Sequence, residues 1–457
     1  MVLVFSDEFN EDGRKFGAAD KDPRWTAMDM YYFPTREETI YKPDQVTTKD
    51  GAAVITIDKK SSVGVTQQPN GDKLKWAKDY TSGFMEGWNK FCYTGGYLEA
   101  SVQLPGDSFY SGFWPALWTM GNLGRAGYMQ STTGFWPYSY NTCGQGSEGQ
   151  PWSLNAPQLL SACPDADGFN RSMYGMAPGV GRGAPEFDVF EVSVNANNDG
   201  TPSNPGASYQ DPHVSHTLQM APLLPQGVHW LDEAFYAAQG IQNGVFFPGY
   251  NTQYKTNYNT WWGSLSSAGL PPRPGNEYQD SISALSYINK SFYTSFHKFG
   301  VDWKPGEYLR WYIDDQFVYE VNKNALLART NSSGASVGQR LIPMEAVYII
   351  LNLGMSEDFG RVDYDNLAFP SQMLVDYIRV YQSRGSINVG CSPVGFPTSQ
   401  YIACNKDKYT AVKGDDAMIS EKCTSGAAHG MRLAGRLCLA GALTLSLLIA
   451  VGLISFL

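Results

Sequence analysis

The stretch Pro185-Glu186-Phe187-Asp188-Val189-Phe190-Glu191-Val192 sets three carboxylic acids among four large apolar residues. The apolar positions 187, 189, 190 and 192 mark a strand. On a regular strand Glu186 and Asp188 share one face, and Glu191 points the other way. A β-bulge at Val189-Phe190 shifts the alternation by one residue and returns Glu191 to the face of the other two. Crowded like charges then raise at least one pKa, so one acid keeps its proton near neutrality while another ionises. That division of labour is what retaining glycoside hydrolysis requires: one carboxylate attacks the anomeric carbon and a carboxylic acid about 5–5.5 Å away protonates the leaving oxygen. The competing reading is a solvated strand face that happens to carry acids.

Other short motifs fall away. Gly144-Gln-Gly146-Ser-Glu-Gly149 matches a dinucleotide fingerprint but has neither a strand before it nor a helix after it. Gly334-Ala-Ser336-Val-Gly338 matches a nucleophile elbow but sits in a polar turn, without the strand-to-helix geometry that exposes a serine. His213, His216 and His229 have no accompanying ligand pattern and read as core or surface histidines.

The acids need a scaffold, and the chain reads as all-β. Short runs such as Ala52–Asp58, Gly96–Leu104, Leu309–Asp314, Val347–Leu353 and Met373–Tyr381 are separated by turns, in a sequence with 47 Gly and 26 Pro. In Gly96–Leu104, Leu98, Ala100, Val102 and Leu104 share one face and Tyr97, Glu99, Ser101 and Gln103 the other, the pattern of a half-buried strand in a sandwich. Two stretches, about 121–184 and 195–293, interrupt the pattern and read as long loop insertions. The sandwich domain is expected over 1–385, a Cys-containing tail or stalk over 386–430 and a hydrophobic segment over 431–457. The net charge of −10 and the lack of any Lys/Arg block argue against a nucleic-acid partner. Twelve Trp and 28 Tyr suit a neutral sugar, whose CH faces stack on rings.

The spacing of Glu186, Asp188 and Glu191 resembles the signature of family 16 glycoside hydrolases, the laminarinase-like β-glucanases, in its bulged form. Leu3-Val-Phe-Ser-Asp-Glu-Phe-Asn10, Gly112-Phe-Trp-Pro-Ala-Leu-Trp118, Phe296-His-Lys-Phe-Gly-Val-Asp-Trp303 and Asp376-Tyr-Ile-Arg-Val-Tyr381 agree with it. More narrowly, Trp88-Asn-Lys-Phe-Cys92, the run Trp118–Tyr128 and Phe135-Trp-Pro-Tyr-Ser-Tyr140 resemble the fungal β-glucan synthesis-associated proteins, a membrane branch implicated in β-1,6-glucan of the cell wall. The resemblance implies a concanavalin-like jelly roll of two antiparallel sheets that binds β-glucan. It gives Glu186 as nucleophile, Asp188 as the residue that orients it and Glu191 as acid/base. Trp114 and Trp118, on one face of their strand, are expected as sugar platforms, with core packing as the alternative. The chemistry requires no metal. Gly51 and Asp376 lie where some relatives hold a structural calcium, with too few oxygen ligands in sequence to specify one. Hydrolysis and chain transfer share the covalent intermediate, and a non-catalytic glucan-binding scaffold on the same fold is the rival reading.

Seven cysteines, at 92, 143, 163, 391, 404, 423 and 438, and the acceptor triplets at Asn170, Asn289 and Asn331 fit a lumenal or extracellular domain. Cys143–Cys163 and Cys391–Cys404 are the near-neighbour pairing candidates. Leu437–Leu457 is an uncharged apolar run, read either as a membrane span or, with Ser425-Gly426-Ala427 and the polar spacer after it, as a GPI-attachment signal. Met1–Phe5 is too short for a signal-peptide core, so either an upstream segment is missing, the preferred reading, or the domain is a cytosolic, tail-anchored one.

Overall fold

The computed structural model of the chain describes residues 1–139, 158–163, 174–177, 179–194, 212–220, 244–247, 253–259, 281–330 and 336–424. Two antiparallel sheets, each of nine strands among the described residues, face one another. The first runs in the order Val245–Phe246, Gln316–Asn322, Tyr308–Ile313, His297–Lys304, Gly96–Gln103, Ser371–Gln382, Ala52–Ile57 and Val46–Lys49, with Val2–Asp7 also paired to Ser371–Gln382. The second runs Thr256–Tyr258, Ser281–Tyr287, Pro212–Gln219, Glu186–Val194, Phe113–Gly121, Val347–Met355, Phe84–Glu86 and Thr26–Ala27, with Cys92–Tyr93 also paired to Val347–Met355. This is the expected jelly-roll sandwich.

The alternation read from Gly96–Leu104 explains the core. Leu98, Ala100 and Val102 are fully buried and meet Leu117, Phe187, Phe190 and Val192 of the second sheet in one apolar cluster. A second cluster lies on the other face of the second sheet. There Trp118, Met120, Tyr348 and Ile350 are covered by residues 28–41, by the turns after Gly121 and by Tyr401, Ile402, Tyr409 and Met418. Burying that face needs no further strand, because the segment 391–423 crosses over it.

A buried cation pins this cover. The Arg125 side chain is fully buried, donates from Nε to Glu86 Oε1 at 2.8 Å and from Nη1 to the Tyr409 carbonyl at 2.7 Å, and lies 3.2 Å from Asp415 Oδ1. Its guanidinium is 4.0 Å from the Tyr128 ring centroid and 4.8 Å from that of Trp88, which itself stacks on Tyr409. Tyr128 donates its hydroxyl to Asp415 at 2.7 Å. Each buried charge here has a partner of the opposite sign, the condition under which such burial is tolerated.

The disulfides correct one sequence expectation. Cys391 pairs with Cys92, 299 residues away, and Cys404 pairs with Cys423, so Cys391 and Cys404 are not partners. Chain neighbours lost to spatial neighbours: the Val389–Cys391 stretch runs beside Cys92–Tyr93, with Gly390 N–H donating to the Cys92 carbonyl at 2.8 Å. Cys163 is disulfide-bonded, and Cys143 lies outside the described residues. The 144–149 glycine motif, His229, Asn170, Asn331 and the apolar tail also lie outside them. Among the described residues no helix is long and apolar enough to cross a membrane.

Candidate active site

The bulge is where the sequence requires it. Glu186 pairs with Met120, Phe187 with Thr119 and Asp188 with Trp118; then Val189 is passed over, and Phe190 pairs with Leu117 and Glu191 with Ala116. Met120, Trp118 and Ala116 share one face of their strand, so the three acids opposite them share it too. On the other side the register slips likewise, from Asp188 opposite Thr217 to Glu191 opposite Ser215.

Buried groups hold the bulge from behind. Trp311 of the first sheet donates Nε1–H to the Asp188 carbonyl at 2.8 Å. His216 Nδ1 lies 2.8 Å from the Val189 carbonyl, which can only accept, so this nitrogen carries the proton and Nε2 accepts from Ser286 Oγ at 3.1 Å. Burial lowers the His216 pKa to about 4, so the ring is neutral. Of the three histidines noted in sequence, His213 and His216 are buried strand residues.

The acids differ in surroundings. Asp188 is the most buried, at 2% exposure, and Glu191 the most open. Glu186 Oε2 accepts a short hydrogen bond from Trp136 Nε1, and Glu186 and Asp188 are hydrogen-bonded to each other. Glu191 Oε1 accepts from Trp114 Nε1 at 2.9 Å and its Oε2 from Ser215 Oγ at 3.3 Å. Burial, reinforced by its acidic neighbours, holds the Asp188 pKa far above the carboxylate range. Burial lifts Glu186 to about 8 against the hydrogen bond from Trp136, and lifts Glu191 to about 7 against those from Trp114 and Ser215. Asp188 is therefore the proton donor in its bond to Glu186.

The two sequence-nominated tryptophans have separate placements. Trp114 is half-buried, bonded to Glu191 and stacked on Phe359 at 3.9 Å between centroids. Trp118 is 7% exposed, gives its N–H to Asn352 at 2.8 Å and packs edge-on against Phe84 and Tyr32. Sequence reasoning passed over Trp136, Tyr32, Ser215 and Asn352. Of these only Ser215 had a local signal, its place on an alternating strand beside the acids.

A family model, that of the Beta-glucan synthesis-associated protein SKN1/KRE6/Sbg1, matches residues 1–415. The chain belongs to this family. It is 34% identical over 426 residues to Beta-glucan synthesis-associated protein SKN1 of Candida albicans, a match covering 90% of this chain and 49% of that protein. It is 34% identical over 447 residues to Beta-glucan synthesis-associated protein KRE6 of Saccharomyces cerevisiae, covering 93% and 54%. The chain thus spans about half the length of these SKN1/KRE6 relatives. Among solved structures it is similar to the catalytic domain of an endo-1,3-beta-glucanase (laminarinase) from Thermotoga petrophila, with a TM-score of 0.45 and 19% identity, covering 84% of this chain and 98% of that one.

Proposed function

We propose that this SKN1/KRE6/Sbg1-family chain is a retaining β-glucan glycosidase or transglycosylase of cell-wall glucan assembly, with Glu186 as nucleophile and Glu191 as acid/base. The observation that carries it is the bulge-aligned row of three acids in which each outer glutamate is held by an indole N–H, Glu186 by Trp136 and Glu191 by Trp114. A solvated strand face has no use for such fixed, dry carboxylates.

The protonation states support one another. Coulomb repulsion between Glu186 and Glu191 is mutual: the value of about 8 for Glu186 includes repulsion from an ionised Glu191, and a protonated Glu191 removes that repulsion. Protonated Asp188 and the Trp136 N–H both point hydrogen at Glu186 and favour its carboxylate. Glu186 is then the group that attacks the anomeric carbon, while Glu191, the most open acid, protonates the departing glycosidic oxygen. In the second step Glu191 takes the proton of whatever attacks the glucosyl ester. Water gives hydrolysis and a sugar hydroxyl gives transfer. Synthesis-associated relatives and β-glucan in their names favour transfer as the productive outcome. The disulfides support a lumenal or extracellular placement of the domain, anchored at a membrane through the apolar tail.

The experiment is incubation of the detergent-solubilised chain with a fluorinated β-glucosyl inactivator, followed by peptide mass mapping. An adduct on Glu186 that is absent from the Glu186→Gln variant establishes the nucleophile. A folded protein that binds β-glucan and forms no adduct is a scaffold, and the enzymatic reading is then wrong.

A further inference from the structure

The outward face of the first sheet carries an aromatic band on the opposite side of the molecule from the acids. Tyr97 pairs with Tyr381 on one side and with Asp302 on the other, and Leu3 continues the row beyond Tyr381. Tyr312 pairs with Phe317. The rings follow one another: Tyr97 to Tyr381 at 6.4 Å, Tyr97 to Tyr312 at 5.9 Å and Tyr312 to Phe317 at 6.0 Å between centroids. All four are partly buried with an exposed portion, and Leu3 is 51% exposed. Six adjacent strands, from Gln316–Asn322 to Val2–Asp7, carry the band, a span of about 24 Å at ordinary strand spacing.

Two details say what kind of ligand fits. Gly300 lies beneath Tyr97, and a Cβ there would come within 2.4 Å of the Tyr97 hydroxyl and 2.8 Å of its ring. The glycine therefore lets the ring lie close against the backbone of that strand. The charges around the band are paired among themselves: Arg379 with Glu8 at 2.7 Å, Lys298 with Asp315 at 2.6 Å, and Arg310 with Glu320. They call for no ionic partner, and fixed ion pairs inside a patch are uncommon at the charge-depleted centre of a protein interface. The Tyr97 and Tyr381 rings, tilted 33° to each other, with Tyr312 edge-on to Tyr97 at 83° and carboxylates between them, suit a neutral polyhydroxylated chain, which stacks its CH faces and donates its hydroxyls.

We propose that this outer face is a second, non-catalytic β-glucan-binding surface, on which a glucan chain lies across the strands over Tyr381 and Tyr97 and against the edge of Tyr312. The identity of the sugar rests on the reading of the cleft. A wall-assembly protein with this surface holds one part of a polymer while the acids work on another.

The test uses the full chain in detergent, in the Glu186→Gln background that stops turnover. Retention is measured on insoluble β-1,3-glucan bearing β-1,6 branches. Replacing Tyr97 and Tyr381 together by Ser should weaken retention by about tenfold, while the Tyr→Phe pair keeps it. Equal retention by the Ser pair overturns the proposal. Should the Ser pair misfold, acetylation of surface tyrosines in the parent decides: glucan must protect Tyr97 and Tyr381 from N-acetylimidazole, and unchanged labelling overturns it. The inactivator experiment is independent, so protection of these tyrosines without an adduct on Glu186 sinks the enzymatic reading and leaves this one standing.

Discussion

Glu186→Gln should make the protein more stable at alkaline pH while removing its activity. In the unfolded chain a glutamate ionises near pH 4.5, whereas burial among two other acids lifts Glu186 to about 8 in the folded chain. A folded value above the unfolded one means that stability is complete below about pH 4.5. It declines as the pH rises towards 8 and is constant beyond. Taken alone, the difference is worth up to roughly 5 kcal/mol at about 1.4 kcal/mol per tenfold. Because the repulsion is shared with Glu191, one substitution recovers a part of the difference, about 2–3 kcal/mol. Gln still accepts the Trp136 N–H, so packing is preserved. For a domain of roughly 400 residues this corresponds to a rise of about 3 °C in Tm at pH 8.5, with no difference at pH 4. Differential scanning fluorimetry of both proteins across that range reads it directly. A Tm difference that does not change with pH, or a wild type more stable at pH 8.5, would refute the claim that an unfavourable buried charge resides at position 186.

Trp114→Phe keeps a ring to stack on Phe359 but removes the N–H that lowers the Glu191 pKa. The alkaline limb of the pH–rate profile should move upward from about 7, and a profile that moves downward or stays fixed would show that the bond does not tune the acid. Cys391→Ser opens a disulfide spanning 299 residues and Cys404→Ser one spanning 19. The first should cost up to about 6 kcal/mol and the second about 3 on the chain-entropy account, seen as a larger Tm loss without reductant; the reverse order would count against that account. Arg125→Met leaves Glu86 and Asp415 buried without their cation and should destabilise by about 3–5 kcal/mol. Burial already lifts Glu86 to about 7, so adding Glu86→Gln should restore part of that loss, and calorimetry of the single and double variants measures the recovery.

The site was legible where chemistry and periodicity coincide on one strand. The six residues from Glu186 to Glu191 contain all three acids and the site of the bulge, so their common face followed from alternation once a bulge was placed at Val189-Phe190. The sandwich was legible for the same reason, since Leu98, Ala100 and Val102 announce their buried face without reference to any other strand. What holds the acids was not legible, because it comes from residues brought in by tertiary closure. Trp136 is 50 residues upstream of Glu186 and Trp311 is 123 downstream of Asp188. Neither has a local pattern that sets it apart from a core tryptophan. The cover fails to show itself for a related reason. Residues 391–423 are polar enough to resemble a stalk, yet a few long-range contacts decide their place: Cys92 on Cys391, Arg125 on Asp415 and the Tyr409 carbonyl. The Cys391–Cys404 expectation misled because short loops are the easiest to close in an unfolded chain. In the folded chain, strand proximity sets the pairing, and the Val389–Cys391 stretch lies beside Cys92–Tyr93. Residues that act together across a sandwich are thus read from sequence only when they lie on one strand. The partners that set their pKa values must be found in space.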